Sequence, residues 1–141
     1  MISLDLAARM ARAALDRAAA VDALVSVAVV DAGGHLVHFA RMDGAEIAGP
    51  TLAVDKAFTA VAHRIDTAEL TALTAPGGSL WGLQANGGGR YVVFGGGVPC
   101  WSDGAVVGAV GVSGGTVEQD SECARAAAAV FESLSAGTPP G

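Results

Sequence analysis

The chain predicts an α+β domain built on one antiparallel sheet, and three observations carry that expectation. Apolar residues at Leu4, Ala7, Ala11, Ala14, Leu15 and Ala18 recur at helical spacing. A β-branched run at 25–30 and further strand-like runs at 36–40, 90–94, 98–102 and 105–112 are bounded by turn sequences. The resulting order is helix, two strands, two helices, three strands, helix, which groups strands in consecutive blocks that pair antiparallel and gives a five-stranded sheet.

Each element has its own local reason. The first helix, 4–20, carries Asp5, Arg9, Arg12 and Asp16 on the face away from its alanines. The apolar strand 25–30 stops at Asp31-Ala-Gly-Gly34 and resumes at 36–40 as a hairpin, and because it is apolar on both faces it needs cover on both. Gly49-Pro50 opens a second helix, expected over 52–64, since proline suits a first helical turn. Asp66-Thr-Ala-Glu69 has capping-box spacing and starts a short helix to about residue 75, ended by Pro76-Gly77-Gly78. Residues 79–89 read as loop, 90–94 and 98–102 as strands, and Asp103-Gly104 as the turn into strand 105–112. Thr116-Val-Glu-Gln119 is a second capping box, opening a last helix with Cys123, Ala127, Val130, Phe131 and Leu134 on its inward stripe. Residues 1–136 form one domain, and 137–141, with two prolines, form a flexible tail.

Composition narrows the function. At 141 residues, 52% hydrophobic and 16% charged, the chain folds compactly, and its 30 alanines and 20 glycines require thin, closely approaching layers. A net charge of −6 with a single lysine, Lys56, argues against a nucleic-acid partner. No apolar stretch is long enough for a membrane span and no secretory signal is visible, so a cytoplasmic location is expected. Cys100 and Cys123 have no C-x-x-C spacing and read as free thiols, with no metal site.

Nucleotide loops, nucleophile elbows and zinc-helix motifs are all lacking in the sequence. The Gly-rich turn from Ser113 through Gly114, Gly115 and Thr116 offers backbone N–H groups at a helix start, suited to an anion, although a plain strand-to-helix turn explains it equally and Glu118 and Asp120 can serve the same dipole. Gly95-Gly-Gly-Val-Pro99 permits backbone to approach a ligand at Gly96, Gly97 and Pro99, and also suits a bulge. His38 reads as a pocket base, a haem ligand or a satisfied strand histidine, and His63 as a helix-terminal cation. Lys56 is either a buried anion partner or, more simply, a surface lysine beside Asp55. Glu118 and Glu122 share a helical face and read as a metal-holding pair or, more simply, as a solvated acidic edge.

The blocks Ala28-Val-Val-Asp-Ala-Gly-Gly-His-Leu-Val37, Arg41-Met-Asp-Gly44, Lys56-Ala-Phe-Thr-Ala60 and Gly95-Gly-Gly-Val-Pro99, together with the long run from Asp103 to Asp120, resemble the GlcG/HbpS family, which also supplies the C-terminal domain of PduO-type proteins. The resemblance spans nearly the whole chain. It implies a profilin-like three-layer α/β/α fold, homo-oligomers, and haem binding or degradation or an accessory role beside a metabolic enzyme. In PduO-type members a first-helix histidine is associated with haem ligation; that position falls on Arg17 here, whose guanidinium has no lone pair for iron. If haem is bound, the axial candidates are His38, His63 and Cys100.

Three functions follow. The first is a small-molecule-binding protein, its ligand held at the 95–99 and 113–116 turns, at a subunit interface. The second is a cofactor-independent lyase or isomerase, with His38 or Glu118 as base, Arg41 or Lys56 as carboxylate partner and the 113–116 amides stabilising an oxyanion. The third is an oligomeric accessory protein for a neighbouring enzyme.

Overall fold

The computed structural model describes residues 1–136; the tail expected at 137–141 lies outside the described residues. The elements are α1 (Leu4–Ala20), β1 (Ser26–Asp31), β2 (Leu36–Arg41), α2 (Gly49–His63), α3 (Thr67–Thr74), β3 (Gly97–Ser102), β4 (Ala105–Ser113) and α4 (Val117–Ala136). The strands form one antiparallel sheet in the order β2-β1-β4-β3, which leaves β2 and β3 as its edges.

Alternation along the two central strands sorts the core into two halves. Val27 and Val29 of β1 and Val110 and Val112 of β4 pack with α1 and α4 residues such as Met10, Ala14, Ala127 and Phe131. On the other face Ala28, Val30 and Ala109 meet Ala53, Ala57 and Ala60 of α2. Small residues set how near α2 can come. A Cβ added at Gly111 would overlap the carbonyl oxygen of Ala53, and one at Gly97, paired with Gly111 across β3 and β4, would overlap that of Lys56. The two hairpins turn where expected. Asp103 and Gly104 both have positive φ, and Asp31 Oδ1 accepts the N–H groups of Gly33 and His35 at 3.0 Å.

The sheet has four strands, not five. Residues 90–94 run beside α2 and α3 without pairing to a strand. Their backbone is satisfied by threonine hydroxyls instead: Val92 N–H donates to Thr59 Oγ1 (2.9 Å), and Thr71 Oγ1 donates to the Val93 carbonyl (2.7 Å). The capping box expected at α3 is also absent, since Asp66 occupies the N-cap position without a side-chain cap hydrogen bond.

Candidate functional site

The start of α4 is closed by its own side chains. Thr116 N–H donates to Gln119 Oε1 and Gln119 N–H to Thr116 Oγ1, the reciprocal bonds of a capping box. One residue earlier, Gly115 N–H donates to Asp120 Oδ1 at 2.8 Å. The place that the glycine turn offered to an anion is therefore held by a carboxylate of the same helix, and the Gly115 and Thr116 amides are already engaged.

Asp120 is itself one half of a buried ion pair. Its Oδ2 accepts from Lys56 Nζ at 3.0 Å, and the same ammonium donates to the Val112 carbonyl at 2.9 Å and lies 5.2 Å from the Phe94 ring centroid. Lys56 is 1% exposed, so the surface placement beside Asp55 does not hold. The reason lies in the thin α2 face. The close approach at Gly97 and Gly111 carries the Lys56 side chain against Gly96, where a Cβ would stand 2.7 Å from Nζ. Asp55 pairs instead with Arg90, whose guanidinium also covers the Phe58 ring. Burial pushes the Lys56 pKa down, and Asp120 beside it works in the opposite direction.

On the outer side of Gly95 lies an open cavity of about 310 Å³, lined by Ala68, Gly95, Val117, Glu118, Ser121 and Arg125. Gly95 leaves this space because a Cβ there would press on Ser121 Oγ. A neighbouring cavity of about 330 Å³ shares Arg125 and continues along α4 past Asp66, Pro99, Trp101 and Glu132. Arg125 thus stands between two hollows. It reaches Asp66 at only 3.9 Å, beyond hydrogen-bond length. Burial raises the Asp66 pKa, with Arg125 opposing. Sequence reading did not find Ser121, Arg125 or Asp66; no local pattern announces them, because they meet only when α3 and α4 pack beside β3.

The remaining candidates are dispersed. His38 is half-buried on edge strand β2, opposite Val29, whereas Cys100 lies on the opposite edge strand, three strand spacings or about 14 Å away. Cys100 is 2% exposed in the α1–α4 core, and burial pushes its thiol up to about 12. His63, at the end of α2, packs edge-on to Tyr91 with ring centroids 4.5 Å apart, and its Nδ1 is buried without a partner. Arg41 ends β2 exposed, and Ser113 is buried opposite Ser26. Arg17 pairs with Glu122, tying α1 to α4. A third cavity, of about 320 Å³, lies near Ile2 and His35. Among the described residues no group of three or more His, Cys, Asp or Glu side chains is placed to hold a metal, and no helix is long and apolar enough to cross a membrane.

Fold and site define a class: a small α+β domain with helices on both faces of an antiparallel sheet and a glycine-backed hollow beside its last helix. The chain belongs to the HbpS-like family, whose model, described as "Haem degrading protein HbpS-like", matches residues 2–129. It is 44% identical over 133 residues to an uncharacterized 15.0 kDa protein of the dhaT-dhaS intergenic region of Citrobacter freundii, covering 94% of each chain. It is 42% identical over 123 residues to the corrinoid adenosyltransferase PduO of Salmonella typhimurium, where the match is 87% of this chain and 37% of that protein. A crystal structure titled PduOC:Heme Complex superposes with TM-score 0.87 at 41% identity, covering 91% of this chain and 93% of the other.

Proposed function

We propose that the protein is a small-molecule-binding member of this family and that its ligand lies against the 95–99 segment, in the hollow between α3 and α4. The observation that carries this reading is the cavity itself, about 310 Å³ backed by Gly95 with polar groups from a single helix converging on it. Lys56 and the Gly115 and Thr116 amides then act behind the site, holding α4 in place, and do not contact the ligand directly. Homo-oligomers that complete the cavity from a second copy belong to the same reading.

Haem is the ligand that the family description and the PduOC complex bring forward. The Gly95 cavity does not fit an axially ligated haem, because none of its side chains is a His, Cys, Met or Tyr. Arg17 offers no lone pair and is committed to Glu122, and Cys100 is buried as a neutral thiol. His38 and His63 are left, on different elements and away from the cavity. The acid–base reading keeps Glu118, which lines the cavity, while His38 lies across the sheet.

Amide spectra recorded against a panel of small organic acids, amines and haemin test the proposal, with Gly95→Val as the filled-cavity control. Perturbations at Gly95 and Ser121 that vanish in Gly95→Val are expected. Perturbations that persist in that variant, or that centre on the His35 cavity, overturn it. A Soret shift lost on replacing His38, His63 and Cys100 together moves the ligand to haem.

A further inference from the structure

Three polar side chains face the Gly95 cavity from one helix: Glu118, Ser121 and Arg125. At 1.5 Å rise per residue, Ser121 lies about 4.5 Å along the axis from Glu118, and Arg125 about 6 Å further. The cavity therefore has an anionic end, a hydroxyl in the middle and a cationic end. Ser121 is 5% exposed and lines the cavity wall. A serine hydroxyl at a cavity wall offers a bound polar group both a donor and an acceptor. Arg125 is exposed, and its ion pair with Asp66 at 3.9 Å leaves its planar fork of donors available to a carboxylate. The rest of the lining is apolar, from Ala68, Val117 and Gly95.

A simple anion would gain Arg125 but meet Glu118, and a simple amine would meet the reverse. A molecule carrying both charges, separated by a short apolar chain, satisfies both ends and the apolar wall. We propose that the cavity binds a short-chain amino-carboxylic acid, with its carboxylate on Arg125, its ammonium on Glu118 and Ser121 Oγ hydrogen-bonded between them. This deepens the small-ligand reading and rests on it.

The test uses 4-aminobutyrate, butyrate and butylamine as probes, followed by amide chemical shifts and calorimetry on the full chain. 4-Aminobutyrate is expected to perturb Gly95, Ser121 and Arg125 and to bind about tenfold tighter than either singly charged probe. Arg125→Gln should weaken 4-aminobutyrate and butyrate about tenfold, whereas Glu118→Gln should weaken 4-aminobutyrate and strengthen butyrate. Arg125→Lys, which keeps the charge, should restore part of the loss. Equal affinity for all three probes, or no response to either charge removal, overturns the zwitterion assignment while leaving a ligand at Gly95 intact. No perturbation at Gly95 by these probes overturns the assignment as well, and whether other members of the panel act there decides the broader reading separately.

Discussion

The two faces of the sheet solve the same problem with different materials. Toward α1 and α4 the gap is filled by valines, Met10 and Phe131 set among alanines of both helices. Toward α2 it is closed by alanines and by glycines at which the helix backbone itself touches the sheet. The first face is limited by side-chain volume and the second by backbone contact. The thin face also brings a charged side chain inward, because a helix this close has its lysine carried under the sheet end to Asp120. Packing by small residues thereby places polar chemistry behind the Gly95 hollow, and the valine face does not.

The strongest way to break this comparison is at the polar link. Lys56→Met should destabilise by about 3–5 kcal/mol in denaturant unfolding, since it leaves Asp120 buried with only the Gly115 amide. Lys56→Met combined with Asp120→Asn should cost less than Lys56→Met alone; a double variant that is worse would show that the pair is not the unit. Next comes Gly111→Ala, expected to cost about 3 kcal/mol because its Cβ meets helix backbone that has no rotamer to yield. On the opposite face Val110→Ala removes volume at a fully buried site and should cost about 2 kcal/mol. If Val110→Ala exceeded Gly111→Ala, the backbone-limited description of the α2 face would fail.

The smallest effect at neutral pH concerns the two thiols of the valine face. Burial raises Cys100 from the ordinary 9.0 to about 12 and Cys123 to about 11. A raised thiol pKa means that the folded chain holds protons the unfolded chain releases, so this contribution to stability is complete below pH 9 and is lost as pH climbs toward 11–12. Unfolding free energy should therefore fall over that window. The fall should be smaller in the Cys100→Ala, Cys123→Ala protein, which retains Lys56 and its opposing shift.

Much of this architecture was legible in local sequence. α1 runs over the expected residues, the hairpins turn at Asp31-Ala-Gly-Gly34 and Asp103-Gly104, and the Thr116–Gln119 capping box forms as its spacing implies. Residues 90–94 depart from the strand that their pattern predicts. Val92 and Val93 look like strand residues, yet their hydrogen bonds go to Thr59 and Thr71, and a threonine hydroxyl on a helix is invisible to any strand pattern. Lys56 was misplaced for a similar reason. Its alanine neighbours reveal a helix, but not that the helix lies flush against glycines 41 and 55 residues later, or that its counter-ion is 64 residues away. Gly95, at the head of the 95–99 glycine run, lines the hollow. Its polar groups, Ser121 and Arg125, sit inside an ordinary helical stretch with nothing local to mark them.

The glycine pair Gly97 and Gly111 also bears on how such a domain can diverge. No residue is smaller than glycine, so every substitution there adds atoms and drives α2 outward; the spacing between helix and sheet already sits at its lower bound. Lineages that change either position must accept a thicker layer, and Lys56 would withdraw from Asp120 as the helix retreats. Drift at two residues with no direct access to the hollow would then loosen the start of α4, and with it the wall that carries Glu118 and Ser121. The proposed ligand site is thus coupled to a one-way constraint, in which the closed arrangement is an endpoint that mutation can leave but cannot overshoot.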